Sequence, residues 1–159
     1  MKKIKVVGVE DISIVELMGM GEVEKESIVD FLAEFNATVW ESFFLTRLPL
    51  LLTKEQLQSI SELVETQENI DNIIDNIETF VPSIKQLLFE YTIQYKLEYV
   101  ENYYREKTAE YRLIHEQMLK DKKTDRRSLE KIIKSRDKYE SALNYTIQKK
   151  WKELLALNG

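Results

Sequence analysis

Residues 93–118 read IQYKLEYVENYYREKTAEYRLIHEQM, and this stretch decides the fold. Ile93, Leu97, Val100, Tyr104, Lys107, Tyr111, Ile114 and Met118 recur at alternating four- and three-residue steps. Side chains so spaced share one stripe of an α-helix, the seam of a coiled coil, here with one lysine set into it. No glycine or proline falls between Ser83 and Lys120, so nothing in the backbone chemistry interrupts that helix. Ile84, Leu88, Tyr91, Tyr95 and Tyr99 fall on roughly the opposite side at about 100° per residue. A helix apolar on both sides is sandwiched, so its first half is expected between the N-terminal helices and the final helix.

Lys120-Asp-Lys-Lys-Thr-Asp125 is a polar turn in which Thr124 or Asp125 caps the next helix. Leu129, Ile132, Ile133, Tyr139, Leu143, Ile147, Trp151, Leu154 and Leu155 then return along the first arm. Each arm of some 30 residues spans roughly 45–50 Å. The part between about Arg105 and Tyr139 has a single apolar stripe and many charges, which predicts a two-helix arm projecting from a helical body.

Upstream, Asp11 is placed to cap a short helix through Met18, ended by Gly19 and Gly21. A helix from about Val23 to Leu48 follows, with Ile28, Leu32, Phe35, Val39 and Phe43 on one face, and Pro49 stops it. Thr53-Lys-Glu-Gln56 has the pattern of a capping box. Asn69 or Asp71 restarts the chain with Ile70, Ile73, Ile74 and Ile77 inward, and Val81-Pro82 breaks it. Lys2 to Val9 alternates like a strand with no second strand near it, an extended arm read as packed on the bundle rather than paired with another chain. The fold class is therefore all-α: a helical bundle with a long antiparallel, coiled-coil-like hairpin.

The element order from Leu17 to about Glu101 resembles a known domain. An acidic lead-in (Glu22, Glu24, Glu26) precedes a helix ending in Phe43-Phe44-Leu45-Thr46-Arg47-Leu48. Leu52-Thr53-Lys54-Glu55-Gln56-Leu57 and then Phe80-Val81-Pro82-Ser83-Ile84 follow. This is similar to a small helical domain family of unknown function from bacteria of the candidate phyla radiation. The resemblance covers about half of the chain and implies a helical fold for it. It implies no activity, since that family has none assigned.

Hydrophobic residues make up 43% of the chain, enough for a core. There is no cysteine, which excludes disulfides, thiolate metal sites and a cysteine nucleophile. Leu48–Leu52, the most apolar run, is far too short to cross a bilayer, and no secretory leader is recognisable at Met1–Glu10. The expectation is a cytoplasmic protein with no membrane insertion. Net charge −5 hides a split. Residues 1–104 carry 8 Lys/Arg against 19 Asp/Glu, and residues 105–159 carry 15 against 9. The expected division is thus an acidic bundle with its N-terminal arm over 1–104, and a distal hairpin with its return helix over 105–159, in one continuous structural unit.

No phosphate-binding loop, serine elbow or zinc motif is present, and no cofactor is expected. Asp71, Asp75 and Glu78 suit a hard cation, but a solvated helix face is the preferred reading. His115 stands alone with Arg112 three residues before it, which does not make a helical di-iron pair. The plain reading is a surface histidine. Tyr91, Tyr95, Tyr99 and Tyr103, with Tyr104 and Tyr111, form a ladder that serves either packing or base stacking, with packing preferred.

Lys120, Lys122, Lys123, Arg126, Arg127, Lys131 and Lys134 crowd the tip, with Arg136 and Lys138 beyond and Asp121, Asp125, Glu130 and Asp137 among them. Residues 112–138 are the expected working surface. A non-enzymatic adaptor or assembly protein is expected, holding a protein partner or another copy through the hairpin. The alternative is an RNA- or ribosome-associated protein whose basic tip meets phosphates.

Overall fold

The computed structural model describes residues 9–66 and 68–159, and among them the regular structure is helical throughout, with no strand. The expected N-terminal arm lies outside the described residues except for Val9, which opens a 3-10 turn, Val9–Asp11. Helices follow in chain order: α1 Ile14–Leu17, α2 Lys25–Thr46, α3 Leu48–Leu51, α4 Lys54–Glu65, α5 Ile70–Phe80, α6 Ile84–Lys120, α7 Arg126–Ile147 and α8 Trp151–Asn158.

The chain forms two compact units rather than one. One is Lys25–Tyr95; the other joins Met1–Glu24 to Lys96–Gly159. Charge balance drew the boundary at 104/105, whereas packing draws it at 95/96 and gives the N-terminal segment to the hairpin. Helix α6 is continuous through this division. The charge contrast survives the new boundary. Residues 25–95 carry 4 Lys/Arg against 12 Asp/Glu, net −8, and the remainder 19 against 16, net +3, which together return the chain's −5.

In the acidic unit, Phe43, Leu48, Leu52, Ile60, Ile73, Ile77 and Ile84 form the core, with Trp40, Leu57, Leu88 and Tyr91 packed on it. The spacing of Phe35, Val39 and Phe43 on α2 makes one buried face, since these are the buried positions of that helix. Thr53 caps α4 through a complete capping box, its oxygen accepting from the backbone of Gln56 at 3.2 Å while the Gln56 side chain accepts from the backbone of Thr53 at 3.0 Å. Asn69 caps α5. Helix α2 ends two residues earlier than expected, at Thr46, and Pro49 lies in the first turn of α3, where its missing N–H is no loss.

In the other unit, the cap of α1 is Ser13 and not Asp11, because Asp11 is still in the 3-10 turn. Gly19 ends that helix in the left-handed region (φ +67°), with Met20 donating to the Val15 carbonyl at 3.0 Å, a Schellman motif. The hydroxyl of the buried Tyr104 donates to the Leu17 carbonyl, and Asn158 Nδ2 donates to the same oxygen at 3.2 Å and to the Tyr104 hydroxyl at 3.1 Å. The C-terminal end of α1 is thus closed by side chains from α6 and α8, which explains why the N-terminal segment belongs to this unit. Lys96 adds a second tie by donating to the carbonyls of Val9 (2.8 Å) and Ile12. Burial lowers its pKa, against the opposing pull of Glu10, Asp11 and Glu16.

The return arm is two helices, where one was expected. Lys149 takes a left-handed conformation (φ 57°) and Lys150 donates to the Tyr145 carbonyl at 2.8 Å, the second Schellman motif of the unit, here with lysine in the place glycine usually fills.

Candidate functional site

The distal parts of α6 and α7 pair antiparallel, and the ties between them fix which side of α7 faces outward. The ring of Tyr139 lies 5.1 Å from that of Tyr111 and 6.5 Å from that of Tyr104. Arg112 donates to Glu140 at 2.7 Å, and Arg136 to His115 Nδ1 at 2.7 Å. From Arg112–Glu140 to His115–Arg136 the number rises on α6 as it falls on α7, as an antiparallel hairpin requires. Val100, Tyr104 and Ala142 are buried in the seam, and Thr108 is buried beside the expected Lys107. Lys107, the lysine of the seam, is half-buried. It reaches Glu110 at 3.4 Å and lies 6.0 Å from the Tyr103 ring centre.

His115 is therefore a seam residue, half-buried, and not a plain surface histidine. A guanidinium only donates, so Nδ1 accepts and the ring proton sits on Nε2. Most of the ladder tyrosines meet other aromatic rings. Tyr103 meets Tyr104 at 5.1 Å, Tyr91 meets Phe43 at 5.3 Å and Tyr95 meets Phe35 at 5.7 Å. These offset and edge contacts are packing, and with the Tyr111–Tyr139 pair they occupy five of the six ladder tyrosines; Tyr99 is 37% exposed.

The basic tip is where the charges do not cancel. Each acidic side chain from 121 to 140 is already engaged within the hairpin. Asp121 accepts from the backbone of Lys123, and Asp125 caps α7 by accepting from the backbone of Ser128 at 2.7 Å. That bond is the first cause of the lowered Asp125 pKa. Glu130 is held by Arg126, Asp137 by Arg136 and Glu140 by Arg112. Arginine thus takes three of these five acids, and backbone N–H groups take the other two. Lys120, Lys122, Lys123, Arg127, Lys131, Lys134 and Lys138 are exposed and make no ion pair with any described residue. Arg126 alone of the expected site residues has an acidic partner. Arg127, Lys131, Lys134 and Lys138 sit at steps of four, three and four, within about 60° of one another around α7. They form a stripe about 17 Å long on the side away from the seam.

The Asp71, Asp75 and Glu78 face holds an ammonium of the protein itself. Lys85 Nζ lies 3.1 Å from Glu78 and 3.8 Å from Asp75, which raises the Lys85 pKa, first through its hydrogen bond with Glu78. Among the described residues no group of three or more acidic or histidine side chains is placed to share a metal ion, and no helix is long and apolar enough to cross a membrane. The acidic unit also carries an open apolar groove of about 340 Å³ between α3 and α6, floored by Phe43 and Tyr91 and rimmed by Leu50 and Leu51. Leu50 is 77% exposed there. No family model matches the chain, and no curated protein or solved structure matches it either.

Proposed function

We propose that this chain is a non-enzymatic helical adaptor that holds an acidic protein surface against the basic face of its hairpin. The observation that carries the reading is the division of labour among the cations: Arg126, Arg136 and Arg112 pair with Glu130, Asp137 and Glu140, and the Arg127–Lys131–Lys134–Lys138 stripe makes no ion pair with a described residue. A stripe on a helix whose other side is tied down loses little entropy on docking, which favours affinity from few contacts. Exposed ion pairs contribute only about 0.2–1 kcal/mol each, so the stripe chooses and orients a partner more than it supplies affinity. Exposed leucines at the rim of the acidic unit's groove are the kind of surface that adds apolar contact.

RNA is the less favoured ligand. The net charge of −5 opposes approach to a polyanion, and most of the tyrosines that would stack bases are packed.

The test is capture from native lysate by the wild-type chain and by a variant with Arg127→Ala, Lys131→Ala, Lys134→Ala and Lys138→Ala. The adaptor reading expects a protein set that the variant loses and that survives nuclease treatment. Retention of the same set by the variant would overturn the reading, and so would release of the whole set by nuclease.

A further inference from the structure

We infer that the acidic surface which meets the basic face of α7 is helix α2 of a second copy of this chain. The inference rests on the reading of that face as a docking surface and names its occupant. Glu26, Asp30, Glu34 and Glu41 lie within about 80° of one another around α2, all exposed and none in an ion pair with a described residue. Ala33 and Ala37 lie on the same side and are also exposed, so the surface between the carboxylates is low and lets another helix come close. The stripe runs about 22 Å, slightly longer than the basic one.

The spacings match. With the two helices antiparallel, Glu26 falls opposite Lys138, Asp30 opposite Lys134 and Glu34 opposite Lys131, three pairs, while Arg127 falls opposite Ala37. On α5 the acids Asp75 and Glu78 are already served by Lys85, while on α4 Glu55, Glu62 and Glu65 are also exposed and in no ion pair with a described residue; α2 carries the longer row, four carboxylates over about 22 Å against three over about 15 Å. The balance of the whole chain points the same way: residues 25–95 are net −8 and the rest net +3, so unlike units of two copies attract and like units repel. Because the pairs are exposed, added salt weakens them, with a screening length of about 10 Å at 0.1 M. The assembly is weak and salt-sensitive.

Sedimentation velocity over a wide concentration range tests this with the intact chain. The wild type is expected to self-associate at about 50 mM salt and to dissociate at about 500 mM. The Lys131→Glu/Lys134→Glu chain and the Asp30→Lys/Glu34→Lys chain are each expected to stay monomeric at low salt. Mixed in equal amounts, they are expected to associate again, because each supplies the charge the other reversed. A wild type that stays monomeric at low salt and high concentration would overturn the inference. Single reversals that associate as well as the wild type, or a mixture that fails to associate, would overturn it as well. If the wild type is monomeric while lysate capture still depends on the basic face, the second copy is wrong and the adaptor reading stands.

Discussion

Arg136 donates to His115 Nδ1 across the hairpin at 2.7 Å while its other nitrogen holds Asp137 at 2.9 Å. One side chain thereby fixes the register of α7 on α6 and removes an acid from the surroundings of Lys134 and Lys138. Replacing Arg136 with Gln is expected to release Asp137 to those lysines, three residues and one residue away. Affinity for a captured partner should then fall several-fold, although no residue of the stripe is altered. Fluorescence anisotropy with a captured partner gives the answer: unchanged affinity in a chain of unchanged helicity would mean that Asp137 does not compete.

Tyr104 gives the fold a pH dependence of known sign. Burial raises its pKa to about 12, because the phenolate would lose water and face the Leu17 carbonyl. The unfolded chain releases the proton near pH 10, so this contribution is fully present below pH 10 and is lost as pH rises from 10 to 12. A difference of about two pH units corresponds to roughly 3 kcal/mol. Tyr103 is shifted the same way, chiefly by burial. Tyr104→Phe is expected to cost about 1–2 kcal/mol at neutral pH, by losing the bonds to Leu17 and Asn158, and to flatten the alkaline slope. Urea unfolding at pH 8 and at pH 10.5 measures both.

Thr108 is buried in the seam, and its hydroxyl oxygen finds no hydrogen-bond partner among the described residues. Valine has the same shape and no hydroxyl to desolvate. Thr108→Val is therefore expected to stabilise the chain by about 1 kcal/mol, read as a higher urea midpoint. A lower midpoint would mean that a water or an unseen partner serves the hydroxyl.

Local rules made much of the fold legible. The capping box at Thr53 needs only four residues, and the seam of α6 needs only its spacing, so both are readable without tertiary context. The break between α7 and α8 was not readable. Lys149 adopts φ 57° with no glycine or proline to announce it, and the cost is met by the packing of Leu154 and the Asn158 bonds to α1. Lys149→Gly is expected to raise stability by roughly 1 kcal/mol, measured by urea unfolding, since glycine takes that conformation freely.

The basic tip was visible in composition, but which of its cations are free of acidic partners among the described residues was not. Only the structure separates Arg126 and Arg136, which are spent on Glu130 and Asp137, from Lys131, Lys134 and Lys138, which are not. The same holds for the N-terminal segment, whose ties to Lys96, Tyr104 and Asn158 run between residues far apart in the chain.

The most direct measurement is zero-length carbodiimide cross-linking in native lysate, which joins a lysine amine only to a carboxylate in contact with it. Lys131, Lys134 and Lys138 are expected to cross-link to aspartates or glutamates of another polypeptide, a second copy included, and to lose those links at high salt. Cross-links that leave these lysines untouched and gather elsewhere on the chain would contradict it.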